Sequence, residues 1–261
     1  LPKLVDIAKK TKFLSNPEWL EWVTSIRMKY TRKRDDYPLS DHAINAYHFI
    51  DELFNQLSED EVVVCGNATA TIVPYQIGQL KKRMRLISNS GSASMGYELP
   101  AAIGAFSAGA KRVICLAGDG SIMMNIQELS TIAHHRMNVV IFVLCNDGYL
   151  SIKQTQRNFF GRENGASSQS GLSYPDFKKL GEAFDLSSCR LNINTWEKDL
   201  HSVLSQVGPV LCEVPLDLVQ EFEPRLKSRF MNGKIVTPEL DDMYPFLSDD
   251  ELKLVRCSAM E

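Results

Sequence analysis

The sequence predicts an α/β fold, doubly wound, with a mainly parallel six-stranded sheet and helices on both faces. Three observations carry that expectation. Six short runs rich in Val, Ile, Leu and Cys recur along the chain. The runs are continuously apolar rather than alternating, the pattern of strands covered on both faces. Between them lie stretches long enough for the crossover helix that a parallel connection needs. Ligands in such a fold sit beyond the carboxyl ends of the strands.

In chain order, residues 1–39 form a lead-in of mixed charge with one or two short helices and a break at Tyr37-Pro38. The chain starts at Leu1, without Met, in a helical stretch carrying Trp19 and Trp22, so the lead-in reads as a linker or the end of a truncated middle domain. Ser40 or Asp41 is expected to cap the next helix, in which Ala43, Ile44, Tyr47, Ile50, Leu53, Phe54 and Leu57 recur at three- and four-residue spacing. Strands are expected at 62–65, 85–87, 112–117, 139–145, 188–193 and 210–214. Helices are expected at 68–80, 96–108, 125–136, 149–157, 175–184 and 195–207. Residues 158–171 are rich in Gly, Ser and Asn without apolar period and read as a loop, a candidate lid because it follows a candidate site. Residues 40–218 then make the α/β domain. From 219 to 261 the prolines 224, 238 and 245 and several acidic residues suggest a surface-wrapping tail.

With 44% hydrophobic and 23% charged residues, 261 residues are enough for one large globular core. A formal net charge of −3 gives no electrostatic reason to expect nucleic acid or an anionic membrane. The one strong basic cluster, residues 29–34, reads as a solvated linker. Six cysteines show no CxxC and no metal-finger spacing. Cys65, Cys115, Cys145 and Cys212 fall in or at the end of strand-like runs, as small buried hydrophobes do, which fits a reducing, cytoplasmic compartment. No apolar run approaches the roughly 20 residues that span a bilayer.

The chemistry concentrates at two strand ends. Leu116-Ala117-Gly118-Asp119-Gly120-Ser121 and Leu144-Cys145-Asn146-Asp147-Gly148 each close an apolar run and enter a helix. Asp119 and Asn146 are 27 residues apart, room for one helix and one strand, so neighbouring strand ends can bring them together. The Asp119 carboxylate, the Asn146 amide oxygen and the Gly148 carbonyl are three hard donors for Mg2+ that leave positions open to phosphate oxygens and water. Gly118 and Gly120 permit a sharp turn, and free N–H groups at Gly120 and Ser121 would face an anion. Metal donors and N–H groups together describe a diphosphate site.

These residues resemble the thiamin diphosphate motif of acetolactate synthases, pyruvate and benzoylformate decarboxylases and their relatives: Gly118-Asp119-Gly120-Ser121, then Cys145-Asn146-Asp147-Gly148-Tyr149. The segment from Ser90 to Gly104, with Ser94-Met95-Gly96-Tyr97-Glu98-Leu99-Pro100, is similar to the one preceding that motif in the acetolactate synthase group. The resemblance covers about residues 40–216. The tail from Pro224 to Leu247 is similar to the ending of acetolactate synthase-like proteins linked to surface-sugar biosynthesis.

The resemblance implies a thiamin diphosphate-binding fold in which Asp119, Asn146 and the Gly148 carbonyl hold Mg2+ against the diphosphate. Gly118, Gly120, Ser121 and the loop Gly66-Asn67-Ala68-Thr69 would meet phosphate, and Tyr149 and Leu150 would flank it. Met95, with Ser94, would support the thiazolium, and the Ala93 carbonyl would accept the pyrimidine amino group. The family decarboxylates a 2-ketoacid and passes the fragment to a proton or a second carbonyl. Its activating Glu belongs to a separate pyrimidine-binding domain of a neighbouring subunit, so no catalytic residue is expected in this chain, which alone would bind without turning over. Dimers or tetramers are the family's working form. Two features depart from acetolactate synthases: the 66–69 loop lacks their Gln-His, and Thr155 stands where they carry a Trp that helps select the second 2-ketoacid. His134-His135 read as helix-surface or packing residues and Glu128 as a structural helix carboxylate rather than a catalytic acid, and the 96–104 glycines do not meet the dinucleotide pattern. Three readings are carried forward: the cofactor-binding domain of a larger carboligase or decarboxylase, the natural small subunit of a two-chain decarboxylase, and a non-catalytic Rossmann-like binding module.

Overall fold

The computed structural model describes residues 2–11, 16–30, 37–231 and 233–257. Along the chain run α1 (Pro2–Lys10), α2 (Pro17–Lys29), α3 (Ala46–Gln56), β1 (Val62–Cys65), α4 (Thr69–Ile77), β2 (Arg85–Ile87) and α5 (Glu98–Ser107). There follow β3 (Val113–Gly118), α6 (Asp119–Ile122), α7 (Glu128–His134), β4 (Val139–Cys145) and α8 (Leu150–Phe160). After a 3-10 turn at Ser168–Ser170 come α9 (Phe177–Ala183), β5 (Ser187–Arg190), α10 (Trp196–Leu204) and β6 (Val210–Pro215). The chain continues through β7 (Arg229–Met231), β8 (Lys234–Val236) and α11 (Asp249–Cys257).

Two compact units result: Asp35–Phe222, and a second made of Leu1–Arg34 with Glu223–Glu261. In the second, β7 and β8 pair antiparallel, and Lys29 reaches Glu251 at 2.7 Å. Residues 31–34 of the basic run lie outside the described residues.

The larger unit holds six strands in the order β2-β1-β3-β4-β6-β5, and every pairing is parallel. Strand residues alternate between two cores. Ile114, Leu116, Val140, Phe142 and Leu144 pack with Phe49 of α3, Val73 of α4 and Leu200 of α10. Val113, Cys115, Ala117, Ile141 and Val143 pack with Leu99 of α5, Ile132 of α7 and Phe177 of α9. Both faces are covered, which is why the strands read as unbroken apolar runs. Of the strand cysteines, 65, 115 and 212 are buried and Cys145 and Cys189 are half-buried.

Several expected boundaries move. The helix expected to start at Ser40 or Asp41 is α3, capped by Asn45, whose side chain accepts from the Tyr47 and His48 N–H groups. Ser40 and Asp41 cannot cap it, because Ile44 is held extended beside the end of β6 by bonds with Pro215 and Asp217. The helix expected at 125–136 begins only at Glu128: the Asn125 side chain donates to the Gly96 carbonyl and diverts the chain into turns. The expected loop 158–171 is shorter, since α8 runs to Phe160. Its remainder is latched: Asp147 accepts from the Ser168 N–H and hydroxyl, and Ala166 is fully buried. Among the described residues no helix is long and apolar enough to cross a membrane.

Candidate functional site

β3 and β4 lie side by side with Gly118 opposite Leu144, so the two turns that follow them meet at the carboxyl edge of the sheet. Asp119, 3% exposed, occupies the junction. Its Oδ2 accepts from the Asn146 N–H at 3.1 Å and the Gly148 N–H at 3.0 Å, and its Oδ1 from the Gly120 N–H at 2.7 Å. The spacing of 27 residues therefore does bring the two motifs onto one carboxylate. The Gly120 N–H, expected to be free for an anion, is instead engaged, because the carboxylate folds back onto the next peptide of a one-turn helix.

Asn146 donates its side-chain N–H to the Thr69 hydroxyl at 3.1 Å. That contact ties the 66–69 loop, after β1, to the end of β4. It also leaves Asn146 Oδ1 without a donor among the described residues. Asp119 Oδ2, Asn146 Oδ1 and the Gly148 carbonyl, which also accepts from the Leu150 N–H at 3.1 Å, are oxygens of the kind that hold a hard divalent ion. Among the described residues no group of three His, Cys, Asp or Glu side chains is placed to hold a metal ion.

The junction opens into a cavity of about 420 Å³, inside the range of roughly 300–1,000 Å³ of small-molecule sites. Asn67, Ala68 and Thr69 line one wall, Ala93 and Met95 another, and Gly118 to Ser121 the floor. Asn146, Gly148, Tyr149 and Leu150 close it from the β4 side. Ser94 is the exception: it is exposed and accepts from the Asn89 amide at 3.1 Å, because the turn at Ala93 points it outward. Ala68 and Ala93 take φ of 48° each and Asp147 takes 58°. Left-handed φ in a residue with a Cβ costs about 1–3 kcal/mol, and such positions gather where backbone must face a ligand.

Burial pushes the Asp119 carboxyl from 3.8 up to about 6, against the pull of the Gly148, Gly120 and Asn146 N–H groups and of Lys153. Between these values the folded state binds the proton more tightly than the unfolded state, so this residue's contribution to stability falls as pH rises. The stability difference between wild type and Asp119→Ala, measured by urea unfolding, is expected to shift against wild type between about pH 4 and 6. A difference flat across that interval would contradict the burial of a charge here.

Lys153 is not marked out by its sequence context, yet it is part of this site. Two turns into the segment after Asn146, it is 2% exposed and its ammonium donates to the Asn146 carbonyl at 2.7 Å and the Asp147 carbonyl at 3.2 Å. Burial lowers its proton affinity, and the Asp147 and Asp119 carboxylates raise it again. The ammonium holds the loop carbonyls on the helix side. Lys153→Ala strands the buried Asn146 carbonyl and the part-buried Asp147 carbonyl and opens a cavity, at a cost of about 2–4 kcal/mol in chemical denaturation. A loss under about 0.5 kcal/mol, the size of an ordinary surface change, would contradict the clamp.

The residues read as helix-borne rather than as site residues lie off the cavity, and so does Thr155. His134 and His135 are exposed at the end of α7 with rings 4.8 Å apart, and Glu128 accepts from Thr131. Thr155 is exposed and bonds back to the Ser151 carbonyl.

Residues 66–214 match the family model described as thiamine pyrophosphate enzyme, C-terminal TPP binding domain. The chain is 33% identical over 209 residues to an acetolactate synthase large subunit of Porphyra purpurea, covering 74% of this chain and 34% of that protein. It is 25% identical over 221 residues to the acetolactate synthase isozyme 1 large subunit of Escherichia coli K12, covering 84% and 38%. With the isozyme 2 large subunit of the same organism it shares 28% over 225 residues, 85% and 40%. The chain spans a little over a third of the length of these relatives.

Proposed function

This chain belongs to the thiamine pyrophosphate enzymes, carrying their C-terminal TPP-binding domain, and from that premise we propose that it grips the cofactor's diphosphate through Mg2+ held by Asp119, Asn146 and the Gly148 carbonyl. One observation carries the proposal: a buried carboxylate on one strand end bonded to two N–H groups of the next strand's turn, which also carries an amide oxygen that no donor among the described residues meets. The donor set suits Mg2+, which takes few protein ligands and keeps phosphate and water in the others.

When bound, the cofactor supplies the carbanion chemistry that makes or breaks a bond beside a carbonyl. The chain's own residues position it. Thr69 orients the Asn146 amide, Lys153 fixes the loop behind it, and Asp119 spans both turns. Tyr149 and Leu150 exclude water from the β4 side. The reading extends to the whole protein as an acetolactate synthase-like carboligase or decarboxylase acting on a 2-ketoacid in the cytoplasm. It would work as a dimer or tetramer whose other domain supplies the activating Glu. With Thr155 exposed and off the cavity, the second substrate need not be that of acetolactate synthesis.

The experiment is to titrate the full-length protein with a panel of 2-ketoacids while following CO2 release, with and without added Mg2+ and thiamin diphosphate. Release that needs both is the expected result. Turnover indifferent to the cofactor would refute the assignment.

A further inference from the structure

Glu98, the first residue of α5, is fully buried. Its Oε2 accepts from the Ser121 hydroxyl at 3.0 Å. The Ser121 oxygen in turn accepts from the Gly96 N–H at 2.9 Å. A Cβ on Gly66 would lie 3.0 Å from the same Oε2, so the carboxyl also abuts the 66–69 loop. Glu98 thus lies against three segments that line the cavity: the turn after β1, the stretch through Met95, and the turn at Asp119 to Ser121. Its other oxygen, Oε1, is buried with no partner among the described residues. An unmade bond on a buried polar atom costs about 1–3 kcal/mol. Burial raises the proton affinity of this carboxyl, against the pull of its own backbone N–H, the Ser121 hydroxyl and the Gly96 N–H.

What it does follows from the direction of the bonds. The Ser121 hydroxyl has one proton, and it points to Glu98, away from any phosphate. Ser121 can then face an anion only through its backbone, in the orientation that the Gly96 bond fixes. We propose that Glu98 is a positioning residue that acts through Ser121 to lock the Met95 segment to the Asp119–Ser121 turn, setting the distance between the two ends of the cofactor cradle. The inference rests on the diphosphate reading of this site.

The test is a double-mutant cycle on the 261-residue chain, reading thiamin diphosphate affinity in Mg2+ by calorimetry. Glu98→Met removes the acceptor at similar volume and is expected to weaken binding about tenfold, the worth of one hydrogen bond. Glu98→Gln keeps an acceptor for Ser121 and should bind within about threefold of wild type. Ser121→Ala should weaken binding about as much as Glu98→Met, and the double variant no further, because both break one linkage. Losses that multiply in the double variant, or a Glu98→Met variant as tight as wild type, would overturn the proposal. Should Glu98→Met fail to fold, amide exchange at Gly96 decides. Protection kept in Glu98→Gln and lost in Ser121→Ala supports the linkage, and protection kept in Ser121→Ala overturns it. A wild-type chain that does not bind at all would sink the diphosphate reading itself, a separate outcome.

Discussion

Asp119→Ala is expected to erase the thermal stabilisation that Mg2+ and thiamin diphosphate together give the wild-type chain. At ligand a hundredfold above its dissociation constant, binding adds about 2.7 kcal/mol to stability. That is a rise of roughly 5–10 °C in the melting temperature for a domain of this size. Changes to groups that merely orient metal ligands cost about 10–100-fold in affinity, and removal of a ligand costs more. Asp119 is a ligand in the proposed site and also the brace between two turns through the Gly120, Asn146 and Gly148 N–H groups. Alanine removes all of these. The unliganded variant need not melt far from wild type, because the lost bonds are partly offset by release of a carboxyl that burial raises to about 6. Differential scanning fluorimetry with and without the two ligands reads the contrast. A variant whose ligand-induced rise equals that of wild type would show that the anion and metal sit elsewhere.

Gly148→Ala is expected to destabilise the domain by about 3 kcal/mol or more and to lose binding with it. Gly148 has φ of 114°, which a Cβ resists. The added carbon would lie 2.4 Å from the Ala166 carbonyl oxygen and 3.2 Å from the Tyr174 hydroxyl. The first obstacle is backbone, pinned through Tyr149, whose N–H donates to that same carbonyl. The turn must therefore shift, and its N–H to Asp119 and its carbonyl, which accepts from the Leu150 N–H, shift with it. Gly165 is the control: its φ is also positive, at 59°, but a Cβ there would meet no atom within 4 Å. Alanine there should cost about 1 kcal/mol, from backbone strain alone, and leave binding intact. Urea unfolding of the two variants separates crowding from strain. Equal losses at the two positions would deny that the 148 turn is packed against the 166 segment.

The architecture and the two turns were legible in the sequence because both are local. A strand buried on two faces must be apolar throughout, and Val139–Cys145 says so without reference to its neighbours. Gly118-Asp119-Gly120 and Asn146-Asp147-Gly148 announce turns by their glycines and donors by their side chains, and the strand order then makes them adjacent. What stayed hidden depends on partners distant in the chain. The Asn45 cap competes with Ser40 and Asp41, which are equally good capping residues, and only the pairing of Ile44 with the end of β6 decides among them. The break before Glu128 comes from Asn125 reaching Gly96, 29 residues back. Lys153 and Glu98 are charged residues that tertiary packing buries. One signal was present for each: Lys153 falls two turns after Asn146 on the inward stripe of α8, and Glu98 sits where the helix enters the core.

The sharpest test is the metal dependence of cofactor binding. The wild-type chain would be titrated with thiamin diphosphate by calorimetry, once in excess Mg2+ and once in EDTA. One site per chain, at least about tenfold tighter with the ion present, is the expected result, since both turns then meet the diphosphate through a shared cation. The same affinity in both solutions would mean that Asp119 and Asn146 hold no ion against the phosphates, and the metal-bridged site would be refuted.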